Sequence, residues 1–160
     1  MKIDMTSENG WDTYFMSMAD LVATRSKDRS IKCGCVVVGE GNIVLSTGYN
    51  GFPRGSDDDN EELHKRPTKY VWTEHDARNA IYSAARNGTK LLDSRMYLTS
   101  HPCHDCARAI SQAGIVEVII PANNDALCED KELRMDWEES CANARDILKS
   151  GNVMVTEYGI

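Results

Sequence analysis

The sequence predicts an α/β domain of three layers, in which helices cover both faces of a mixed sheet of about five strands. Helical and strand-like segments alternate along the chain, and residues 33–48 have the pattern of a β-hairpin. The segment Val116–Ile120 is mostly apolar, as expected for a strand that is buried on both faces. A chain of 160 residues has the size of one domain with a substantial core.

The elements follow from local patterns. Residues 10–25 place Trp11, Phe15 and Met18 at helical spacing, which predicts an N-terminal helix that packs against the core. A strand over residues 33–38, a Gly-rich turn over 39–42 and a strand over 43–48 form the hairpin. Further helices are predicted over residues 75–87 (with Gly88 as the C-cap), 103–113 and 130–147, and further strands over 96–99, 116–120 and 153–156. Residues 48–55 are too rich in Gly and Pro for regular structure, and the acidic run 56–62 predicts a solvated loop.

Composition and charge restrict the classes of function. Apolar residues make up 41% and charged residues 27% of the chain, and no apolar run approaches the roughly 18 residues of a membrane span. The N-terminal residues lack the apolar core of a signal peptide, so we expect a cytoplasmic protein. The net charge of −7 disfavours a polynucleotide ligand, which needs a basic face, and favours a small-molecule substrate.

The six cysteines do not have the pattern of a disulfide framework. Cys33 and Cys35 are one residue apart on a predicted strand and so point to the same face. Cys103 and Cys106 have metal-ligand spacing. Without an export signal, metal ligands or free thiols are favoured over disulfides.

Two segments must meet in space to form a metal site. His75 begins one predicted helix, and Pro102-Cys103-His104-Asp105-Cys106 begins another 28 residues later. Helix N-termini lower the pKa of thiols, and Cys103 and Cys106 at i, i+3 share one face. One histidine and two thiolates predict a zinc ion with an open fourth position, the arrangement that distinguishes a catalytic zinc from a structural one.

Other interpretations of these residues stay open. The Cys-x-x-Cys pair could be a redox pair, and a structural zinc would take a fourth ligand from His104, Cys33, Cys35 or His64. We interpret His101 and His104 as residues at the rim of the site. A second metal site at His64 or at the Cys33–Cys35 pair is a further alternative.

The order of these motifs resembles that of the deoxycytidylate (dCMP) deaminases. The residues that carry the resemblance are Gly48-Tyr49-Asn50-Gly51-Phe52-Pro53-Arg54-Gly55, Lys69-Tyr70, the segment His75 to Ile81, and Pro102-Cys103-His104-Asp105-Cys106. The Pro-Cys-x-x-Cys motif alone is typical of the whole cytidine-deaminase superfamily. The Gly-Tyr-Asn-Gly-Phe-Pro-Arg-Gly stretch is specific to the dCMP branch, whose phage-encoded members resemble this chain in length.

The resemblance implies a single cytidine-deaminase-like domain over residues 1–160 that binds catalytic Zn²⁺ and converts dCMP and water to dUMP and ammonia. It also implies a hexamer that is activated by dCTP and inhibited by dTTP, with Mg²⁺ on the triphosphate. A phage-encoded member would act in the host cytoplasm and supply the precursor of dTMP.

The resemblance also implies roles for individual residues. His75, Cys103 and Cys106 would bind zinc, Asn50 would contact the deoxyribose, and the backbone near Ala77 and Ser100 would contact the edge of the cytosine. For the phosphate we choose the polar residues after the first helix, which are Arg25, Ser26 and Lys27. The effector-binding residues would be Tyr49, Asn50, Gly51, Phe52, Arg54 and Gly55.

The chain departs from the family at one position. The signature His-x-Glu places a proton-carrying glutamate two residues after the histidine, and this chain has Ala77 there. Ala77 could be an engineered replacement that impairs turnover, or the chain could be a natural nucleotide-binding regulator without activity. Asp76 is a third candidate as proton carrier, but its side chain should leave the helix about 100° away from position 77.

Overall fold

The computed structural model describes residues 10–123 and 131–159, and within α6 it describes the side chains from residue 136 onwards. The helices are α1 (Gly10–Ala23), α2 (Glu61–His64), α3 (Thr68–Trp72), α4 (Asp76–Asn87), α5 (His104–Gln112) and α6 (Lys131–Ser150). The strands are β1 (Gly34–Val38), β2 (Val44–Tyr49), β3 (Arg95–Leu98), β4 (Glu117–Pro121) and β5 (Met154–Tyr158). The predicted helix-and-strand order is confirmed, apart from two short helices that were not predicted.

The five strands form one mixed sheet in the order β2-β1-β3-β4-β5. Strand β1 pairs antiparallel with both β2 and β3, whereas β3, β4 and β5 are mutually parallel. The parallel strands are joined through α5 and α6, as parallel pairing requires a crossover connection.

Alternating side chains of the sheet pack against helices on both sides. On one face, Val36 and Val38 of β1 belong to a buried cluster with Phe15 and Ala19 of α1. On the other face, Cys35 and Val37 belong to the larger cluster, which includes buried residues of α4, α5 and α6. The predicted three-layer α/β/α architecture is therefore confirmed.

The two unpredicted helices lie between the Gly-rich loop and α4. The sequence analysis placed residues 56–62 in a loop, and that prediction is wrong for Glu61 and Glu62, which begin α2. The side chain of Asn60 caps α2 by accepting the Glu62 N–H at 3.1 Å. Helices of four and five residues hardly exceed one turn, so they cannot repeat an apolar spacing that a sequence pattern would reveal.

A glycine fixes the structure at each end of α4. Gly88 adopts a left-handed conformation (φ 69°) and its N–H bonds to the carbonyl of Ala84, which confirms the predicted C-cap. At the other end, β2 passes so near that a Cβ on Gly48 would lie 2.2 Å from the Asp76 carbonyl oxygen. This glycine therefore sets how closely β2 approaches the first turn of α4.

Among the described helices, none combines the length and apolar composition needed to cross a membrane.

Candidate metal centre and active site

His75, Cys103 and Cys106 meet as the sequence spacing predicted. The Nδ1 atom of His75 lies 3.3 Å from the Cys103 sulfur and 3.5 Å from the Cys106 sulfur. All three donor atoms lie within 4.8 Å of one another. One imidazole nitrogen and two sulfurs at these separations can reach a single ion.

Helix geometry brings these donors together. His75 immediately precedes α4 and Cys103 immediately precedes α5, both with extended backbone, while Cys106 lies in the first turn of α5. Each helix start presents N–H groups without intrahelical partners and a partial positive charge. Both effects stabilise thiolates, so the positions suit cysteine ligands.

Hydrogen bonding inside the cluster shifts the pKa values of its members. A hydrogen bond with Cys106 lowers the pKa of Cys103 against the opposing effect of burial, and His75 lowers it further. The same bond, together with burial, raises the pKa of Cys106. The bond to Cys103 also raises the pKa of His75. The three groups thus share protons that a divalent cation would displace on binding.

The donor set fits zinc. Thiolate and imidazole ligands are those that Zn²⁺ prefers, and three protein ligands leave a fourth position open. Within residues 10–123 and 136–159, no fourth His, Cys, Asp or Glu joins the cluster. His64 contacts the Asp58 carbonyl oxygen and His104 contacts the Ser140 hydroxyl. Of the other candidate fourth ligands, Cys33 accepts a hydrogen bond from the Ser100 hydroxyl and Cys35 is buried in the core. None of the five described cysteines forms a disulfide, as the sequence predicted.

A cavity of about 390 Å³ opens beside the cluster. His75, Cys103 and Cys106 line it, and so do Thr73, Asp76 and Arg78, each of which carries one polar group that is buried without a described hydrogen-bond partner. These groups are the Thr73 hydroxyl, the Oδ2 atom of Asp76 and the Nε atom of Arg78. Because polar and charged side chains are part of its wall, this cavity is suited to a polar ligand.

Asp76 and Ala77 have different environments. Asp76 is 6% exposed and lines the cavity, and its burial raises the pKa of its carboxyl group to about 6 against the opposing charge of His75. Ala77 is 1% exposed, belongs to the core cluster and is not among the described residues that line the cavity.

Only some of the proposed substrate-binding residues line the cavity. Asn50 and Ser100 line the cavity. The side-chain amide of Asn50 is hydrogen-bonded to the backbone just before β1. It accepts the Cys33 N–H at 2.8 Å and donates to the Ile31 carbonyl at 2.9 Å. Ser26 is buried and donates to the Asn50 carbonyl at 2.7 Å. Its side chain therefore supports the loop behind the cavity.

The two cations chosen for the phosphate lie outside this cavity wall. Arg25 is exposed just after α1, and Lys27 is exposed and paired with Asp58 at 2.7 Å. Neither is among the described residues that line the cavity, and their contact with a phosphate stays a prediction.

Most of the predicted effector residues line a second cavity, of about 690 Å³, between β2 and α4. Tyr49, Gly51, Phe52 and Arg54 belong to its wall, and α4 contributes a further cation, Arg86. Asn50 faces the first cavity, and Gly55 lines neither among the described residues. The Gly-rich loop therefore lies between the two cavities.

Sequence reasoning missed two features of the first cavity. Trp137 of α6 lines it with its ring centroid 6.3 Å from that of His75. Lys69 and Asp28 also line it and form a buried ion pair at 2.7 Å. Lys69 entered the sequence analysis only within the family resemblance. No local pattern indicated that either feature would reach the site, because each depends on packing between distant segments.

Comparison with known proteins agrees with this geometry. Residues 9–122 match the family model described as "Cytidine and deoxycytidylate deaminase zinc-binding region". The deoxycytidylate deaminase of Homo sapiens is 40% identical over 114 residues, which cover 68% of this chain and 63% of that protein. This chain thus matches slightly less than two thirds of the length of the human relative. An uncharacterized deaminase of Aliivibrio fischeri, from the luxG 3' region, is 34% identical and is covered over 92% of its length, with 91% of this chain.

The fold is also that of solved deaminases. The dCMP deaminase of cyanophage S-TIM5 in its apo form superposes with a TM-score of 0.70 at 24% identity, covering 96% of this chain and 100% of that one. The same phage protein in complex with dCMP and dUMP gives a TM-score of 0.69 at 23% identity, covering 99% of each chain. With the family model, the relatives and the ligand cluster in agreement, the chain belongs to the cytidine and deoxycytidylate deaminase family.

Proposed function

We propose that this protein is a zinc-dependent dCMP deaminase that converts dCMP and water to dUMP and ammonia. The observation that carries the proposal is the convergence of His75, Cys103 and Cys106 at one wall of a cavity that polar side chains also line. The 40% identity with the human deoxycytidylate deaminase supports dCMP as the substrate, and so does the phage relative crystallised with dCMP and dUMP.

His75, Cys103 and Cys106 would hold the zinc ion. When bound, zinc lowers the pKa of a water molecule towards neutrality and so supplies the nucleophile for C4 of the cytosine. The protein must then orient the base and move protons to the ring nitrogen and to the departing amine. In this proposal Trp137 provides an aromatic wall for the pyrimidine, since its indole lines the cavity beside His75.

The chain lacks the carboxylate that the family uses for this proton transfer. Ala77 carries no titratable group, so we propose that turnover is impaired relative to a chain with glutamate at this position. Position 77 would contribute its backbone to recognition of the cytosine edge, together with that of Ser100. Any remaining turnover would use the Asp76 carboxyl group, because Asp76 lines the cavity and the pKa of its carboxyl group is raised to about 6.

Recognition of the sugar and phosphate is assigned to the loop residues of the sequence analysis. Asn50 would place the deoxyribose through the loop that it anchors, and Ser26 supports the same loop. Arg25 and Lys27 would contact the phosphate, for which Lys27 would have to leave Asp58.

We also propose that the second cavity binds the regulatory nucleotides dCTP and dTTP, with Mg²⁺ on the triphosphate. Its mixture of aromatic rings and guanidinium groups, from Tyr49, Phe52, Arg54 and Arg86, suits a base and a polyphosphate. A hexameric assembly and a cytoplasmic location, within the host if the gene is carried by a phage, complete this proposal.

A nucleotide-binding regulator without turnover is the second candidate function. The observation that favours it is Ala77, which stands where the family has a glutamate.

The test of both candidates is to measure the zinc content and the dCMP turnover of the purified protein and of its Ala77→Glu variant. The deaminase proposal expects one zinc per chain and a gain in turnover of about 10²- to 10⁴-fold in the variant. Zinc and dCMP binding without turnover in either protein would support the regulator, and absence of zinc would exclude both proposals.

A further inference from the structure

A partly buried charge network joins the two segments that carry the ligands. Arg78 lies in the first turn of α4, three residues after His75, and its Nη2 atom is 2.5 Å from Oε1 of Glu74. Its Nη1 atom is 3.6 Å from Oδ2 of Asp105, which is in the first turn of α5. One guanidinium group therefore bridges the residue before His75 and the residue between the two cysteines.

Glu74 extends this network to the histidine ligand itself. The same Oε1 atom that pairs with Arg78 also accepts the backbone N–H of His75 at 3.0 Å. Glu74 is fixed in turn by a two-way backbone bridge to Gly51, with N···O distances of 2.8 and 3.0 Å. The backbone of His75 is thus held by a carboxylate whose position depends on Arg78.

Arg78 also contributes directly to the environment of the thiols. It lines the same cavity as Cys103 and Cys106, and its Nε atom is buried with no hydrogen-bond partner among the described residues. Its side chain is 22% exposed, so its charge is only partly screened by water. The bridge therefore lies at the cavity wall beside the ligands and not at a remote surface.

A second arginine provides an internal comparison. Arg108 of α5 also pairs with Asp105, but its side chain is 59% exposed and it does not line the cavity in the described part of the chain. Exposed ion pairs contribute little to stability, whereas a partly buried bridge between two helices restricts their relative position. The two arginines thus share a partner but differ in their relation to the ligands.

We propose that Arg78 is a positioning residue of the metal centre, which holds His75 in register with Cys103 and Cys106. This inference rests on the proposed zinc site. It expects Arg78 to set the affinity for the metal, as partners of metal ligands commonly do, with losses of about 10- to 100-fold when they are removed.

The test is zinc affinity by competition with a chromogenic chelator, on the unaltered protein and on Arg78→Met, Arg78→Lys and Arg108→Met variants. We expect Arg78→Met to weaken zinc binding by about 10- to 100-fold. Arg78→Lys should recover part of that loss, because it keeps the charge but not the two-sided bridge. Arg108→Met should stay within about twofold of the unaltered protein.

The thiolate-to-cobalt absorption of the Co²⁺-loaded proteins gives a second readout that is independent of activity. Unaltered zinc affinity and an unaltered cobalt spectrum in Arg78→Met would overturn the inference while leaving the proposed function intact. Failure of the unaltered protein to bind zinc would instead overturn the proposed function. If Arg78→Met does not fold, Glu74→Gln and Asp105→Asn replace it, and tight zinc binding by both would equally reject the role of Arg78.

Discussion

Asp76 lines the metal-ligand cavity, whereas the methyl group of Ala77 packs in the core with neighbours such as Ala80. These adjacent residues leave the first turn of α4 in different directions, about 100° apart. From the sequence alone, that angle disfavoured Asp76 as a proton carrier. The structure places Asp76, and not Ala77, at the cavity, so the residual chemistry of this chain should depend on Asp76.

If the protein is the proposed dCMP deaminase, the Asp76→Asn variant is expected to remove its residual turnover. The change keeps the shape of the side chain but removes the proton, and loss of a positioned acid or base costs about 10²- to 10⁴-fold in rate. Ammonia release under single-turnover conditions is the appropriate measurement. Asp76→Asn in the Ala77→Glu background serves as the control, since an added glutamate should make the loss smaller. Equal rates with and without Asp76→Asn would eliminate the Asp76 carboxyl as a proton carrier.

Asp76 should also make the stability of the metal-free protein depend on pH. Its pKa rises from 3.8 to about 6 because of burial, so the folded state binds a proton more tightly than the unfolded chain. The resulting penalty is absent below pH 3.8, develops between pH 3.8 and 6, and is complete above pH 6. A shift of this size corresponds to about 3 kcal/mol at most.

Urea unfolding of the chelator-treated protein at several pH values tests this expectation. Asp76→Asn should raise the free energy of unfolding above pH 6 and have progressively less effect towards pH 4. A variant that is destabilising at pH 7 would show that the ionised carboxyl is satisfied in the folded state, contrary to the unpaired Oδ2 atom.

The close approach of β2 to α4 leads to a prediction about Gly48. A Cβ at this position would lie 2.2 Å from the Asp76 carbonyl oxygen and 2.3 Å from the Ala80 nitrogen, and neither backbone atom can rotate away. We expect Gly48→Ala to destabilise the protein by about 1–3 kcal/mol or more and to weaken zinc binding, because α4 carries His75 at its start. Gly51→Ala is the matched control, since a Cβ there has nothing within 4 Å. Thermal unfolding of both variants, followed by circular dichroism, distinguishes the two sites.

The sequence predicted those parts of the molecule that depend on local pattern. Periodicity located the long helices and the strands. The spacing of His75, Cys103 and Cys106 predicted the ligand cluster, because the two cysteines share one face of a helix start and the three residue types together match a zinc site. The same reasoning could not locate Trp137, which reaches the cavity only because α6 packs against α5. It also assigned contacts with the substrate phosphate to cations near α1. The ion pairs of those cations cannot be read from the sequence, and Lys27 is paired with Asp58 in the fold.

The Asp28–Lys69 pair was equally beyond sequence reasoning, since its members are 41 residues apart and are joined only by the fold. Their side chains are 5% and 10% exposed at the wall of the cavity. Burial alone would raise the pKa of Asp28, but hydrogen bonds from Lys69 and from the N–H groups of Ile31 and Ser30 outweigh it and lower the pKa. The pair therefore holds the segment before β1 against α3.

Lys69→Met should be strongly destabilising, by about 3–5 kcal/mol at pH 7, because it leaves the Asp28 carboxylate buried without its cation. The matched control is Lys65→Met, which removes an exposed pair with Glu62 and should cost less than about 1 kcal/mol.

The cost of Lys69→Met should also depend on pH. The folded pKa of Asp28 is depressed, so its stabilising contribution to the free energy of unfolding is present above pH 3.8 and is lost as pH falls through the lower folded value. The difference in unfolding free energy between the unaltered protein and Lys69→Met should thus narrow on acidification, as the variant's Asp28 becomes protonated. Urea titrations between pH 3 and pH 7 measure this difference, and one that stays constant with pH would show that Lys69 acts through packing of its alkyl chain and not through its charge.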